Sequence, residues 1–250
     1  CSCSARILPP CCGMPRQPRI FVPGLTLHVI QRGAGRAAMF HDDDDYEMFI
    51  ECLRAAARQS GTDVHAMVLM TNHLHLMVTP HDASSLSRTM QQLGRCYVPH
   101  YNRRYERVGA LWQGRYRAIH VETEHYWLTC LRYVEQNPVR AGMVMTPAAH
   151  RWSSYHAHAN GDWPDWLVPH PVYLALGERP ETREAAYRAI CGESVADPEL
   201  AALRYAAHHG WAYGSLAFAA GIEAACGRPV VPRGARRKSR PTLSAITSGV

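Results

Sequence analysis

The chain has 250 residues, 47% of them hydrophobic, and a formal net charge of +6. That length bounds one large domain or two small ones, and no apolar run reaches the roughly 18 residues of a membrane-spanning helix, so no membrane partner is expected. The charge is unevenly placed. Seven arginines and a single acid, Glu106, lie between Ser84 and His120, and six basic residues with no acid lie between Arg228 and Arg240. Two separate basic regions point to a polyanionic partner. Lys238 is the only lysine, so the choice of arginine says little and the clustering carries the signal.

Residues 1–13 (CSCSARILPPCCG) read as a disordered, Cys-rich leader, with Met14 opening a more ordinary sequence. A zinc knuckle is the alternative, but no matching His or Cys pair occurs downstream at finger spacing. No basic segment followed by an apolar one is present, so no signal peptide is expected. Cys52, Cys96, Cys130, Cys191 and Cys226 are scattered singly, the usage of a reducing compartment, which places the protein in the cytoplasm.

The first strand is predicted over Leu25–Gln31, β-branched and apolar, carrying His28. A core or surface role is the plain reading of that histidine, and lining a site is the other. The acidic run Asp42–Asp45 then suits the N-terminus of a helix over Tyr46–Arg58. Val64–Leu69 is a second strand, and Thr71-Asn72 turns it into a third, His73-Leu74-His75-Leu76-Met77-Val78, as a hairpin. Alternation on that third strand puts Leu74, Leu76 and Val78 toward a core and His73, His75 and Met77 on the opposite face. Two imidazoles side by side can hold one divalent cation; half-exposed strand histidines are the bland alternative. Ser84 or Ser85 caps a helix from Leu86 to about Arg104, with Gly94 and Pro99 as interruptions. A fourth strand spans Tyr116–Val121. Thr123 then caps a helix to Asn137, which stops at Pro138.

This order, β-α-β-β-α-β and then a helix, predicts an α+β, ferredoxin-like antiparallel sheet with two helices on one face. The topology is also that of RNA-recognition domains, whose aromatic stacking motifs are absent. The second face is left for function, with His73 and His75 directed to solvent. Residues 148–227 are expected to form a mostly helical extension. Trp152–Tyr173 reads as loop or linker, and Glu181–Cys191, Glu199–His208 and Tyr213–Cys226 as helices, either a helix-turn-helix or ordinary packing. Residues 228–250 read as a basic disordered tail.

On the last predicted helix of the sheet domain, Tyr126, Cys130, Tyr133 and Asn137 fall on one face. A half-buried anchor would explain Tyr133 alone, and a helix cap Asn137 alone. Taken with their surroundings they resemble a family. His73-Leu74-His75 after Met70-Thr71-Asn72, then Tyr101-Asn102-Arg103, then Leu111-Trp112-Gln113-Gly114-Arg115-Tyr116, then Arg132-Tyr133, Asn137-Pro138 and Arg140-Ala141-Gly142 are similar to the single-tyrosine HUH transposases, and in particular to REP-associated tyrosine transposases. The resemblance covers about residues 14–155 and implies a catalytic domain over 14–147. It implies Tyr133 as nucleophile, His73, His75 and Asn137 as metal ligands, Mg²⁺ or Mn²⁺ as cofactor, and single-stranded DNA with palindromic hairpins as partner. It also implies a nucleoid-associated location and leaves monomer and homodimer open.

The chemistry is coherent. A phenol is a weak nucleophile at neutral pH, and a divalent ion offsets charge developing on a phosphodiester. Imidazoles alone would equally suit Zn²⁺. Arg88, Arg95, Arg103, Arg104, Arg115 and Arg117 are candidates for the strand backbone. Trp112 and Tyr116 are candidates for stacking on unpaired bases, with core packing the alternative for Trp112. Two other functions remain open on these residues: a nucleic-acid-binding regulator that does not cleave, and a metal phosphohydrolase in which Tyr133 is structural.

Overall fold

In the computed structural model, which describes residues 21–193 and 196–232, β1 (Leu27–Arg32), β2 (Thr62–Met70), β3 (His73–Pro80) and β4 (Arg117–His120) form one sheet in the order β2-β3-β1-β4. All neighbours are antiparallel. β1 and β2 therefore run parallel with β3 inserted between them, a split β-α-β unit. The expected α+β sheet is the fold of the chain. The Cys-rich segment 1–13 and residues 233–250 of the basic tail lie outside the described residues.

α1 (Asp43–Ser60) and α2 (Ser85–Arg104) cover one face. Leu27 and Val29 of β1 and Leu74, Leu76 and Val78 of β3 point to them, against Phe49 and Leu53 of α1 and Leu93 and Tyr97 of α2. On β2 a bulge between Val64 and Ala66 shifts the register. Val64 consequently faces α1 and α2, whereas Ala66, Val68 and Met70 face the other way; without the extra residue Val64 and Ala66 would share a face. Pro99 sits inside α2 without ending it.

α1 starts at the acidic run, with Asp42 as its N-cap. Asp45 is fully buried and accepts hydrogen bonds from the His41 backbone N–H (2.8 Å), the Tyr105 hydroxyl (2.7 Å) and Arg104 Nη1 (2.9 Å). Arg104 also reaches Asp42 and Asp44. The guanidinium charge is thus neutralised within the protein, where it ties the end of α2 to the start of α1. Arg88 is similarly held by Asp82 and the Ser60 carbonyl. Arg104→Ala is expected to lower the melting temperature and leave DNA affinity as it was; thermal denaturation alongside a binding titration checks both.

The second face is not open to solvent, contrary to the sequence expectation. α3 (His125–Glu135) lays Trp127, Leu131 and Val134 on it, and α4 (Asn137–Arg140) continues from its end. α5 (Tyr155–Asn160), α6 (Pro171–Leu174), α7 (Pro180–Gly192) and α8 (Asp197–His209) contribute Ala159, Tyr173, Tyr187 and Leu203 to the same core. α9 (Leu216–Cys226) packs Ala219 and Ile222 with Val230 in a small third cluster. The apolar run Ala66–Met70 that ends β2 is the pattern of a strand buried on both faces. The segment expected to be linker contains α5 and α6 and pairs with the outer edge of β2 through Val68–Ser153 and Val64–Leu167 bridges. Two further expectations change. The N-cap of α3 is Glu124, at φ 62° and without a side-chain cap bond, rather than Thr123. Cys52 and Cys96 are joined in a disulfide between α1 and α2, so the reading of them as single reduced thiols does not hold.

Candidate active site

β1 and β3 are register partners, with Ile30 opposite His75 and Arg32 opposite His73. Alternation sends His28, Ile30 and Arg32 to the same face as His73 and His75. Tyr133 reaches that face from α3: its ring lies 5.8 Å from His75 and 6.0 Å from His28, both edge-on. His73 and His75 are 5.2 Å apart, centroid to centroid. Asn137, one turn beyond Tyr133, opens onto the same cleft of about 580 Å³.

Each histidine has one ring nitrogen engaged. His73 Nδ1 lies 2.8 Å from Asn72 Oδ1, an oxygen that only accepts, so the ring donates there. Asn72 in turn donates to the Arg36 carbonyl, which fixes the turn against the loop after β1. His75 Nδ1 is 2.8 Å from His28 Nε2. Burial, then Arg32, lowers the His73 imidazole to about 4. Burial lowers His28 to about 3. His75 is held well below the usual imidazole range by burial, then by His28, His73, Arg140 and Arg32. All three rings are neutral at pH 7, the form in which imidazole binds metals.

The family resemblance implies a divalent cation, and the donor set fits one. His73 and His75 each keep Nε2 without a hydrogen-bond partner among the described residues. The Asn137 side chain donates its amide N–H to the Tyr133 carbonyl (2.9 Å), which leaves Oδ1. Among the described residues no group of three or more His, Cys, Asp or Glu side chains could hold a metal. A cation here would therefore draw on two imidazoles, an amide oxygen and water.

α3 is fixed from both sides. On the cleft side, Arg140 lies 4.6 Å from the centre of the Tyr133 ring and donates to the Tyr133 carbonyl; burial lowers its guanidinium to about 10. On the far side, Glu135 is fully buried. Its Oε1 accepts from Ser154 Oγ (2.5 Å) and His158 Nδ1 (2.8 Å), and its Oε2 from the Tyr187 hydroxyl (2.5 Å). Two residues from the candidate nucleophile, the extension thus grips the helix that carries it.

The cleft charge is one-sided. Arg32, Arg36, Arg115, Arg117 and Arg204 line it and no acid does. Of the arginines expected on DNA, Arg115 and Arg117 are here. Arg95 and Arg103 are exposed on α2 and do not line the cleft, and Arg88 and Arg104 are paired with acids. Trp112 lies nearly parallel to Tyr97 at 6.2 Å, packed on the α1/α2 core, and Tyr116 is buried in that core. Neither lines the cleft. Arg32, Arg36, Arg140, Glu135 and Arg204 carry no role in the sequence reading, and His28 takes the second of its two, the site-lining one. Strand parity could have found His28 and Arg32, and Arg140 stands inside the Asn-Pro-Val-Arg run. For Arg204, some seventy residues away from Tyr133, no local signal exists.

The family model described as transposase IS200 like matches residues 21–137, the segment that holds the sheet, His73, His75, Tyr133 and Asn137. That segment, a little under half of the chain, is similar to the IS200-like transposase family. No curated protein matches the chain in sequence. Three solved structures are similar in part. One is described as a REP-associated tyrosine transposase bound to a REP hairpin (18% identity, 63% of this chain and 93% of the other, TM-score 0.48). A putative transposase from Deinococcus radiodurans R1 gives 22% identity, 48% and 96% coverage and a TM-score of 0.32. A tRNA(His) guanylyltransferase from Saccharomyces cerevisiae gives 10%, 70% and 81%, and 0.37. With TM-scores under 0.5 spread over two different activities, these likenesses add nothing to the family similarity of residues 21–137. Among the described residues, no helix is long and apolar enough to cross a membrane.

Proposed function

We propose that the protein cleaves and rejoins single-stranded, hairpin-forming DNA through a covalent 5′-phosphotyrosine on Tyr133, with Mg²⁺ or Mn²⁺ held by His73, His75 and Asn137. The observation that carries this reading is a cleft that joins a tyrosine and two neutral histidines to five arginines and no acid. A neutral small substrate would not require such charge, and a phosphodiester backbone does. The choice of a palindromic, REP-like hairpin rests on the motif resemblance alone.

In the proposed step the Tyr133 hydroxyl oxygen bonds to phosphorus and the P–O3′ bond breaks. The phenolic proton passes to solvent, and the departing O3′ takes one up as a free hydroxyl. Bond energy is retained in the phosphotyrosine, so the reverse step rejoins a strand without ATP. The chemistry a bound Mg²⁺ or Mn²⁺ supplies is charge neutralisation at the scissile phosphate. Arg140 holds the Tyr133 ring and backbone, and the cleft arginines hold the strand in line.

Wild-type protein incubated with single-stranded palindromic DNA from its gene's own flanks should give a covalent adduct on a denaturing gel and a free 3′-OH fragment. A protein that binds this DNA without an adduct would be a regulator, and phosphate release without an adduct a phosphohydrolase. His73→Ala should abolish cleavage at little cost in stability, since the ring sits at the cleft edge. His75→Ala should abolish it and also destabilise by about 1–3 kcal/mol, because it leaves the buried His28 without its partner. EDTA should reproduce the loss of activity in the wild type. Cleavage that persists in EDTA and in the double variant rules out the metal site.

A further inference from the structure

Beyond residue 137 the family match ends, yet the cleft does not. α8 brings Arg204, Ala207 and His208, spaced i, i+3 and i+4 on one helical face, to the same cleft as Tyr133 and Asn137. The helix is docked by Leu203, Ala206 and Ala207, buried in the core beneath the second sheet face. Its C-terminal end is tied to β4: Arg117 Nη1 donates to the His208 carbonyl at 2.9 Å. The next segment is pinned to the other end of that strand by Tyr213, whose N–H donates to the His120 carbonyl (2.8 Å) and whose carbonyl accepts from the Glu122 N–H (2.9 Å).

Arg204 is exposed and forms no salt bridge among the described residues. The acid on its own helix that could have served, Glu199, lies more than a turn away and pairs with His125 at 2.7 Å. The charge of Arg204 is near enough to Arg140 to help lower that guanidinium. Arg204 therefore adds like charge to a site already rich in it, which costs stability unless an anion occupies the space between. Arg117, by contrast, has one nitrogen on a helix-end carbonyl, where a cation is favoured.

We infer that α8 is the second wall of the DNA cleft and that Arg204 takes a phosphodiester of the bound strand, opposite Arg32 and Arg36 of the β1 side. The inference rests on the strand-transfer reading of this cleft. It makes the C-terminal helices part of the substrate site. A backbone contact adds affinity and alignment without reading bases, so the cleavage position does not depend on it.

The test is affinity of the full chain for a single-stranded palindromic oligonucleotide at several salt concentrations. Arg204→Ala should reduce the slope of log affinity against log salt by roughly 0.7, the value of one phosphate contact on a single strand. Arg204→Glu should weaken binding about tenfold or more at low salt and much less at high salt. Arg204→Lys should restore the slope, which separates a charge effect from a folding defect. Arg58→Ala, an exposed arginine on α1, should leave slope and cleavage unchanged. Lines for Arg204→Ala and Arg204→Glu that stay parallel to wild type overturn the inference. If the wild type binds but forms no adduct, the strand-transfer reading falls, and the slopes still decide whether α8 touches phosphate.

Discussion

Tyr133→Phe is expected to abolish the proposed covalent adduct and to lower cleavage by on the order of 10⁴-fold or more, with affinity for the DNA strand staying within a few-fold. Only one oxygen is removed. The ring keeps its place, because what holds it is apolar and electrostatic: it is 9% exposed, edge-on to His28 and His75, and beneath Arg140. The arginines that line the cleft do not use the phenol, so the strand still binds. An adduct of normal yield from the variant would move the nucleophile elsewhere. Tyr126 is the next tyrosine on α3, although it packs edge-on against Tyr213 at 5.2 Å. The measurement is a denaturing gel with labelled oligonucleotide, paired with a binding titration.

Glu135→Ala destabilises the fold by about 3–5 kcal/mol, the cost of removing one partner from a buried charged network. The carboxylate is the common acceptor for Ser154, His158 and Tyr187, which come from the start of α5, from α5 and from α7. Without it, the Tyr187 hydroxyl loses its carboxylate acceptor and His158 Nδ1 keeps only the longer contact to the Ser154 carbonyl (3.2 Å). Burial and the adjacent Glu135 carboxylate already hold the Tyr187 phenol well above its usual range, so it cannot relieve the site by ionising. Glu135→Gln keeps the volume and one acceptor oxygen, and should cost less, about 1–3 kcal/mol. Denaturant unfolding of the full chain measures both. A Glu135→Ala variant as stable as wild type would mean that apolar packing alone docks α3.

The local parts of this architecture could be read from the chain. The alternation of His73-Leu74-His75-Leu76 assigned faces correctly, and the turn at Thr71-Asn72, the Asp42 cap and the order of four strands arise from short-range chemistry. What escaped depends on pairings between distant residues. Whether an arginine meets an acid cannot be seen from its neighbours in sequence: Arg104 finds Asp42 and Asp45 some sixty residues back, whereas Arg115 finds none and remains for a ligand. The same holds for Cys52 and Cys96, which are 44 residues apart and meet across two helices. The ferredoxin-like order of elements places helices on one face only, so the cover over the second face is not legible from it, although Met77 and the apolar residues of β2 are consistent with a core there. His75 lines the cleft and is yet only 3% exposed, and sequence alone does not separate those roles.

The bulge at Val64–Ala66 and the unbroken alternation of β3 make the site a matter of odd and even. Loss or gain of a single residue between Asn72 and His75 would exchange the faces of the rest of the strand, sending imidazoles into the α1/α2 core and leucines toward Tyr133. A two-residue change would keep the faces and shift only the depth along the strand. β2 already contains one such uncompensated step and absorbs it at the sheet's edge, where residues 153 and 167 pair with it from outside. β3, enclosed by β1 and β2, has no such freedom. Length variation in this hairpin is therefore tolerable on β2 and, on β3, only in pairs, so the two arms of one turn differ in how far they can drift.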